Sequence, residues 1–529
     1  MKATKANKWR QVERLQHLLA HAFSAKLLAV KKVTENQGKR SAGIDGQLWS
    51  SPAQKFQAAL SLGKKGYQPQ PVRRIYFDKG QGKRRPIGIP TMKDRAMQAL
   101  YQLALDPVAE VKADLNSYGF RRGRSPHDAI EQAHKILAGA HKAQWIWRAD
   151  VKSCFDQLDH KWLAEHIPMD KKLLKLWLKA GFVEAGLRYP SHEGLPQGGC
   201  ISPTITNLAL DGLERLLQER YTKPNGSRSR ANPHKLNLVR FADDLLLTAS
   251  SYEFLELEIK PLVNTFLQHR GLSLNEQKSQ IIHRDAGFEF LGFEVRRFAN
   301  KTIIKPSKLA IKRFKAKLSA TLASMKTVKA VNLVRALNPI LRGWANYYRH
   351  AVSKKVFGDL DHWLWRKLWD WAKRRHPKKA RHWIAQKYFD IPAGWSFFGK
   401  QQGQRLHIFN LAAVPIKRHI KIKALANPYD PSWEMYFESR MDKQWLSHAG
   451  RSKRLLALYQ KQAGCCAICG LKITKETAWH THHRLPKVKG GSDNLSNLVL
   501  LHPNCHMQVH ALEPTVMLPE RPPDALIMA

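Results

Sequence analysis

RFADDLLLTA, running from Arg240 to Ala249, sets two adjacent aspartates among apolar residues. Val239 and Phe241 precede Asp243 and Asp244, and Leu245, Leu246 and Leu247 follow, so two apolar runs flank a pair of adjacent carboxylates. That pattern predicts a hairpin with the aspartates at its turn. Two like charges side by side make a poor turn unless a cation shares them. Asp150 ends a second apolar run, WIWRA from Trp145 to Ala149, where a strand would deliver its carboxylate to a sheet edge; Asp156 follows in DVKSCFD. Phosphoryl transfer needs a deprotonated hydroxyl, an in-line phosphorus and a stabilised leaving oxygen, which two Mg²⁺ ions about 3.5–4 Å apart on shared carboxylates supply. Asp150, Asp243 and Asp244 are therefore the expected catalytic and metal-holding residues. Alone, an Asp-Asp pair reads as an ordinary hydrophilic turn, and the motifs around it decide against that.

Working outward, short β-rich runs alternate with helical ones from about Val72 to Phe298, among them RRIYF at Arg73 to Phe77. This predicts an α+β domain with a mostly antiparallel sheet. Ahead of it, Val12, Leu15, Leu18, Leu19, Ala22 and Phe23 recur at helical spacing, before a turn-rich segment from Asn36 to Gly46. After Pro306 the pattern turns helical and basic, then aromatic through Trp344, Tyr347, Tyr348, Trp363, Trp365, Trp369 and Trp371, as in a helical bundle with a cationic face. Pro392, Gly394, Gly399, Gly403, Pro428 and Pro431 break up the next stretch, Pro377 to Ser447, which reads as basic, irregular and loosely packed. The remainder acquires Cys and His and reads as a small metal-dependent domain. The expected boundaries are 1–70, 71–298, 299–376, 377–447 and 448–529.

A chain of 529 residues is too long for one core, which fits several units. It carries 89 Lys and Arg against 42 Asp and Glu, a formal charge of +47 spread along its length. Self-repulsion on that scale calls for a polyanion, and the interleaved Trp and Tyr offer faces on which bases stack. Four of the six cysteines, Cys465, Cys466, Cys469 and Cys505, crowd into the C-terminal stretch, while Cys154 and Cys200 stand apart. That distribution suits a metal site in a reducing compartment better than a disulfide framework. Met1 to Gln16 is polar and cationic, and no apolar run is long enough to span a bilayer, so the expectation is a soluble protein without a membrane role.

Read in order, NQGKRSAGIDG (Asn36 to Gly46), GKRRPIGIPTMKDRAMQALYQLALDPVAE (Gly82 to Glu110), SYGFRRGRSPHDAI (Ser117 to Ile130), RADVKSCFD, GLPQGGCISPTITNLALDGLE (Gly194 to Glu214), RFADD, GLSLNEQKSQI (Gly271 to Ile281) and FEFLGFEV (Phe288 to Val295) resemble the successive reverse transcriptase blocks of group II intron-encoded proteins. The resemblance implies right-hand polymerase fingers and palm, and NPILRGWANYYRH (Asn338 to His350) looks like the helical thumb, where maturases clasp intron RNA. It further implies that Asp150, Asp243 and Asp244 hold Mg²⁺ with the main-chain oxygen of Val151. Phe155 would sit under the sugar and exclude a 2′-hydroxyl by clash. Lys79 and Arg85 would grip the triphosphate, Gln197 would line the nucleotide pocket, and Lys278 would lie near the leaving pyrophosphate. The family usually has Tyr where this chain has Phe241; the lost hydroxyl is not a metal ligand, so activity should survive.

In the C-terminal stretch Cys466 and Cys469 form a C-x-x-C, and His502 and Cys505 repeat that spacing, which suits a structural tetrahedral Zn²⁺ site. Cys465 fits the knuckle less well than Cys466, and the family more often has Cys at the position of His502. Between the pairs, the segment from His480 to His510 resembles the HNH nuclease motif, a two-strand, one-helix finger. In that reading His483 is the general base that activates water, His482, His506 and His510 hold a divalent ion, and Asn497 braces the loop so that His483 points correctly. A purely structural zinc finger would explain the cysteines but not the histidines.

The expected protein is thus an RNA-directed DNA polymerase that binds intron RNA to assist splicing and nicks target DNA for retrohoming. Its partners would be intron RNA, target DNA and dNTPs, in a bacterial cytoplasm and at the nucleoid when acting on DNA. Two rivals are an RNA-binding maturase whose metal sites are relics, and a stand-alone nuclease. Intact Asp150, Asp243 and Asp244 oppose the first, and the ordered polymerase motifs oppose the second.

Overall fold

A computed structural model of the chain describes residues 1–78, 84–222, 231–299, 301–449, 453–474, 477–486 and 490–511. It divides into two compact units, Met1–Leu425 and Ala426–Ala529.

The first unit opens on a short helix, Lys2–Lys5, followed by helices Trp9–His21 and Phe23–Glu35. Its strands are β1 (Val72–Asp78), β2 (Arg84–Ile89), β3 (Trp145–Asp150), β4 (Phe182–Glu184), β5 (Leu187–Tyr189), β6 (Asn237–Phe241), β7 (Asp244–Ala249), β8 (Gln280–His283), β9 (Phe288–Phe290), β10 (Phe293–Phe298), β11 (Lys301–Pro306), β12 (Phe389–Asp390), β13 (Ser396–Gln401) and β14 (Gln404–His407). One sheet runs β2-β1-β4-β5 and another runs β6-β7-β3-β8. Apart from β1 and β4, which run parallel, the neighbouring strands of these two sheets are antiparallel, as the sequence predicts.

The β6-β7-β3-β8 sheet positions the carboxylates because its central strands are anchored in the core. Leu245, Leu246 and Leu247 of β7 are fully buried, as are Trp147 and Ala149 of β3. Each of these leucines contributes roughly 1.5–3 kcal/mol by leaving water, and Leu245 and Leu247, opposite Ala149 and Trp147 on one face, would be turned to the other face by a one-residue slip. The helix Met92–Lys112 shares this hydrophobic core, packing chiefly against the helix Phe23–Glu35, and starts on Thr91, whose side chain accepts from the Asp94 amide.

Three long helices, Lys308–Ser324, Ala330–Tyr348 and Lys354–Arg375, form the expected bundle. Trp344 stacks on Phe314 at 4.5 Å, and the Tyr347 hydroxyl donates to the Leu291 carbonyl, so these aromatics pack within the protein.

The expectation of an irregular stretch from Pro377 to Ser447 fits residues 408–430, which form no helix or strand, and is corrected on either side of them. A helix, Arg381–Tyr388, leads into the β12-β13-β14 sheet, with Phe389, Phe397 and Phe398 buried. The Gly residues punctuate rather than disorder it. Gln402 and Gly403 both take positive φ in a two-residue turn between β13 and β14, and a side chain on Gly399 would collide with the backbone of Val331.

The second unit contains helices Glu434–Ala449 and Lys453–Lys461, a hairpin of β15 (His480–His483) and β16 (Leu498–Leu501), and helix Pro503–Ala511. This matches the expected two-strand, one-helix finger. Its core is small and includes Leu458, Ile473, Leu500 and Leu501 together with Cys466 and Cys505. A core of that size calls for a metal or another staple.

Candidate active sites

Pairing of Phe241 with Asp244 leaves Ala242 and Asp243 as a two-residue turn. Asp244 therefore opens β7 rather than sitting in the turn. Ala242 has φ +56, a conformation that favours glycine and costs an alanine about 1–2 kcal/mol. Arg240, fully buried and ion-paired with Asp211, holds the turn by donating to the Ala242 carbonyl at 3.3 Å. Gly119 lets a neighbouring loop approach, since a side chain there would strike Ala242. The strain thus sits at the residue that aims Asp243.

Asp150 and Asp244 face one another in the β3-β7 register, with Asp243 adjacent. Burial, then the neighbouring carboxylates Asp243 and Asp150, push Asp244 up to about 6. Asp243 is raised too, chiefly by burial and next by Asp150. Lys278 Nζ lies 2.9 Å from Asp150 Oδ2, and Asn275 Nδ2 donates to the same oxygen at 3.1 Å. Three carboxylates brought to one sheet edge against their own repulsion fit hard divalent cations.

The nucleotide-pocket candidates also meet. Arg85 Nε donates to Gln197 Oε1 at 2.7 Å, and Gln197 Nε2 lies 3.3 Å from both carboxylate oxygens of Asp156. Phe155 lies on the short helix Cys154–Gln157, which follows Ser153 at φ +43, and its ring meets Phe120 edge to face at 6.4 Å. Lys79 lies outside the described residues.

In the second unit, single donor atoms from Cys466, Cys469, His502 and Cys505 lie within 4.8 Å of one another. His502 Nε2 is 3.2 Å from the Lys472 carbonyl, so Nε2 carries the proton and Nδ1, 3.2 Å from Cys469 Sγ, is left as the donor. Burial opposes ionisation of Cys466, but the backbone amides of Cys469, His502 and Ile468 outweigh it and lower that thiol. Burial and the neighbouring sulfurs of Cys469 and Cys466 push Cys505 up to about 12. The set fits a tetrahedral Zn²⁺, with imidazole accommodated as the fourth donor.

His482, His506 and His510 likewise offer nitrogens within 4.8 Å of one another. Burial, reinforced by His506 and His510, pushes His482 down to about 4, which keeps the neutral, metal-binding form. His506 and His510 are one turn apart on helix Pro503–Ala511, Nε2 to Nε2 at 3.3 Å, and His480 Nδ1 approaches His506 Nδ1 at 3.4 Å. Asn497 accepts from the Leu485 amide at 2.7 Å and donates to the Leu485 and Ser492 carbonyls at 3.0 and 2.8 Å, closing the loop that follows His483.

Residues 77–295 match the family model described as reverse transcriptase (RNA-dependent DNA polymerase), and residues 311–389 match the group II intron maturase-specific domain. Residues 1–62 match the N-terminal domain of reverse transcriptase, and residues 466–512 match the HNH endonuclease. Protein YkfC of Escherichia coli (strain K12) is 32% identical over 322 residues, covering 54% of this chain and 84% of that protein. The chain belongs to the group II intron-encoded reverse transcriptases. The group II intron-encoded protein LtrA of Lactococcus lactis subsp. cremoris is 27% identical over 341 residues, covering 53% of this chain and 56% of LtrA. The putative COX1/OXI3 intron 1 protein of Saccharomyces cerevisiae is 24% identical over 318 residues, 51% of this chain and 38% of that one.

This group II intron reverse transcriptase and maturase carries an HNH endonuclease domain at its C-terminus, and among its described residues no helix is long and apolar enough to cross a membrane. Sequence reasoning missed several groups around its sites. The sequence analysis gives no role to Asn275, Arg240, Asp156, His480 or Asp493. Each is found by what it touches.

Proposed function

We propose that this reverse transcriptase copies intron RNA into DNA at the β3-β7 edge, holds that RNA through its basic helical region, and nicks target DNA to make the primer. The observation that carries the polymerase assignment is the cross-strand pairing of Asp150 with Asp244, with Asp243 in the strained turn beside them. The β2-β1-β4-β5 sheet would serve as fingers, β6-β7-β3-β8 as palm, and the three helices from Lys308 to Arg375 as thumb. The functional segments would be 1–70, 71–298, 299–376, 377–447 and 448–529, the fourth binding DNA.

Asp150, Asp243, Asp244 and the main-chain oxygen of Val151 would hold Mg²⁺. When bound, the ions supply charge for a deprotonated 3′-hydroxyl and for the leaving pyrophosphate. Arg85 and Lys79 would bind the triphosphate, Gln197 would line the pocket that Asp156 and Arg85 orient, Phe155 would exclude the 2′-hydroxyl, and Lys278 would move from Asp150 toward the pyrophosphate.

In the nuclease, Cys466, Cys469, His502 and Cys505 would hold Zn²⁺, His482, His506 and His510 the catalytic divalent ion, and His483 would take a proton from water, with Asn497 fixing the loop. The partners would be intron RNA, target DNA and dNTPs, in a bacterial cytoplasm and at the nucleoid during integration. A nick exposing a 3′-hydroxyl ties the two sites into one pathway, because tethering delivers the primer end at high effective concentration.

The test is primer extension on an RNA template with dNTPs and Mg²⁺, comparing the protein with an Asp243→Ala, Asp244→Ala variant. cDNA from the unmutated protein alone is expected. If both bind RNA and neither extends, the chain is a splicing cofactor.

A further inference from the structure

His483 Nε2 lies 2.7 Å from Asp493 Oδ1. Their side chains are 28% and 45% exposed, so the pair is open to solvent and to a substrate. Exposed ion pairs of this kind add little to stability, and a carboxylate facing a nuclease imidazole needs another reason. The local backbone is built to hold it: Asn497 Nδ2 donates to the carbonyl of Ser492, the residue before Asp493, and also ties down Leu485, two residues beyond His483. One side chain therefore clamps both ends of the segment joining the imidazole to the carboxylate.

We propose that Asp493 is the positioning residue for His483, fixing which of its two nitrogens accepts the proton. An ionised carboxylate can only accept, so the nitrogen facing it must carry hydrogen. Neutral His483 is then held as the Nε2–H tautomer, and Nδ1 is the basic atom presented to water. In the step, water gives a proton to Nδ1 and its oxygen bonds to phosphorus. The bond from phosphorus to the ribose O3′ breaks with its electron pair, O3′ takes a proton from solvent, and His483 later returns its own to solvent. As Nδ1 gains its proton the ring becomes a cation facing Asp493, and the Nε2–H bond becomes charge-assisted on both sides. That strengthening develops on the way to the transition state, so it speeds the reaction more than it tightens DNA binding.

The inference rests on His483 being the general base, and the experiment separates the two. The full-length zinc-loaded protein, with Asp493→Asn, Asp493→Glu and His483→Ala variants, is assayed for nicking of supercoiled plasmid DNA in Mg²⁺. DNA affinity, zinc content and cDNA synthesis are measured alongside. Asparagine can donate to Nε2 and so stabilise the wrong tautomer; Asp493→Asn is expected to lower kcat by about 10²- to 10⁴-fold, with DNA affinity, zinc content and cDNA synthesis unchanged. Asp493→Glu, which keeps an acceptor, is expected to recover most of that loss. If Asp493→Asn nicks at the unmutated rate while His483→Ala does not, the role of Asp493 is overturned and the base assignment stands. If His483→Ala nicks normally, or the unmutated protein does not nick, the base assignment falls and takes this inference with it. Equal losses in Asp493→Asn and Asp493→Glu together with weakened DNA binding would make Asp493 a DNA contact instead.

Discussion

Asp244 carries the clearest conflict between folding and function. Its carboxyl, normally near 3.8, is pushed up to about 6 by burial and by Asp243 and Asp150. A raised folded-state value means that the folded protein binds more protons than the unfolded chain between those two values, so this group's contribution to stability falls as pH rises through that window. Above pH 6 the metal-free fold carries the full penalty. Asp244→Asn should therefore raise the melting temperature of the metal-free protein at pH 7.5, by roughly 2–4 °C per kcal/mol recovered, and the advantage should shrink at pH 4 and in excess Mg²⁺. Equal melting at both pH values would show that the carboxylates do not oppose folding. The aspartates themselves were legible from spacing alone. Their neighbours Asn275 and Arg240 were not, because nothing in a one-dimensional pattern distinguishes a polar residue folded onto Asp150, or under a turn, from one facing solvent.

At the level of elements, the short helix Cys154–Gln157 and the zinc knuckle make the sharpest predictions. Phe155 is nearly buried and braced by Phe120, so a smaller side chain opens space at a defined place. Phe155→Val should lower the preference for dNTP over NTP by about tenfold or more, the scale of a lost steric clash, read as the ratio of kcat/KM values. Unchanged discrimination would remove Phe155 from the sugar site. In the second unit, Cys466 and Cys505 are part of the core itself. Stripping zinc with a chelator, or Cys469→Ser, should melt this unit and abolish nicking while primer extension in restored Mg²⁺ continues. Retained nicking with no bound zinc would count against a structural metal. The hairpin and helix of this unit follow the sequence expectation, whereas the β12-β13-β14 sheet did not. Its strands are short, and of the Gly and Pro residues that look like disruption, Pro392, Gly394 and Gly403 lie in the turns that join them.

Across the first unit, three imidazoles join distant segments. His127 Nε2 contacts the Tyr347 carbonyl at 2.7 Å, His350 Nδ1 the Lys417 carbonyl at 2.8 Å, and His419 Nε2 the Asp128 carboxylate at 2.9 Å. His350 is pushed down to about 4 by burial first, then by His127, with His419 and Arg349 adding. Its ordinary value is 6.5, so its stabilising contribution is complete above that and is lost as pH falls toward 4. The melting temperature of the polymerase unit should drop between pH 6.5 and 4.5, and more shallowly in His350→Gln; parallel slopes would exclude this junction as the cause. The charge of +47 predicts a second global behaviour, a steep fall in RNA affinity between 50 and 200 mM salt, on the order of 10³-fold or more if several phosphates are contacted. A flat salt response in filter binding would contradict a phosphate-dominated interface.

The order of motifs, the hairpin carrying Asp243 and Asp244, the paired metal-ligand spacings and the overall charge are legible along the chain without any contact between distant segments. They depend on strand periodicity, on ligand spacing within one or two turns of chain, and on composition, all of which are local. Tertiary structure decided the rest: that Asp150 lies opposite Asp244, that Arg85 reaches Gln197 across 112 positions, that His502 turns Nδ1 toward the cysteines, and that Asp493 meets His483. These are contacts between segments whose separation along the chain carries no information about distance. They form because burial of β3, β7 and the small core around Cys466 and Cys505 fixes the backbone that carries them.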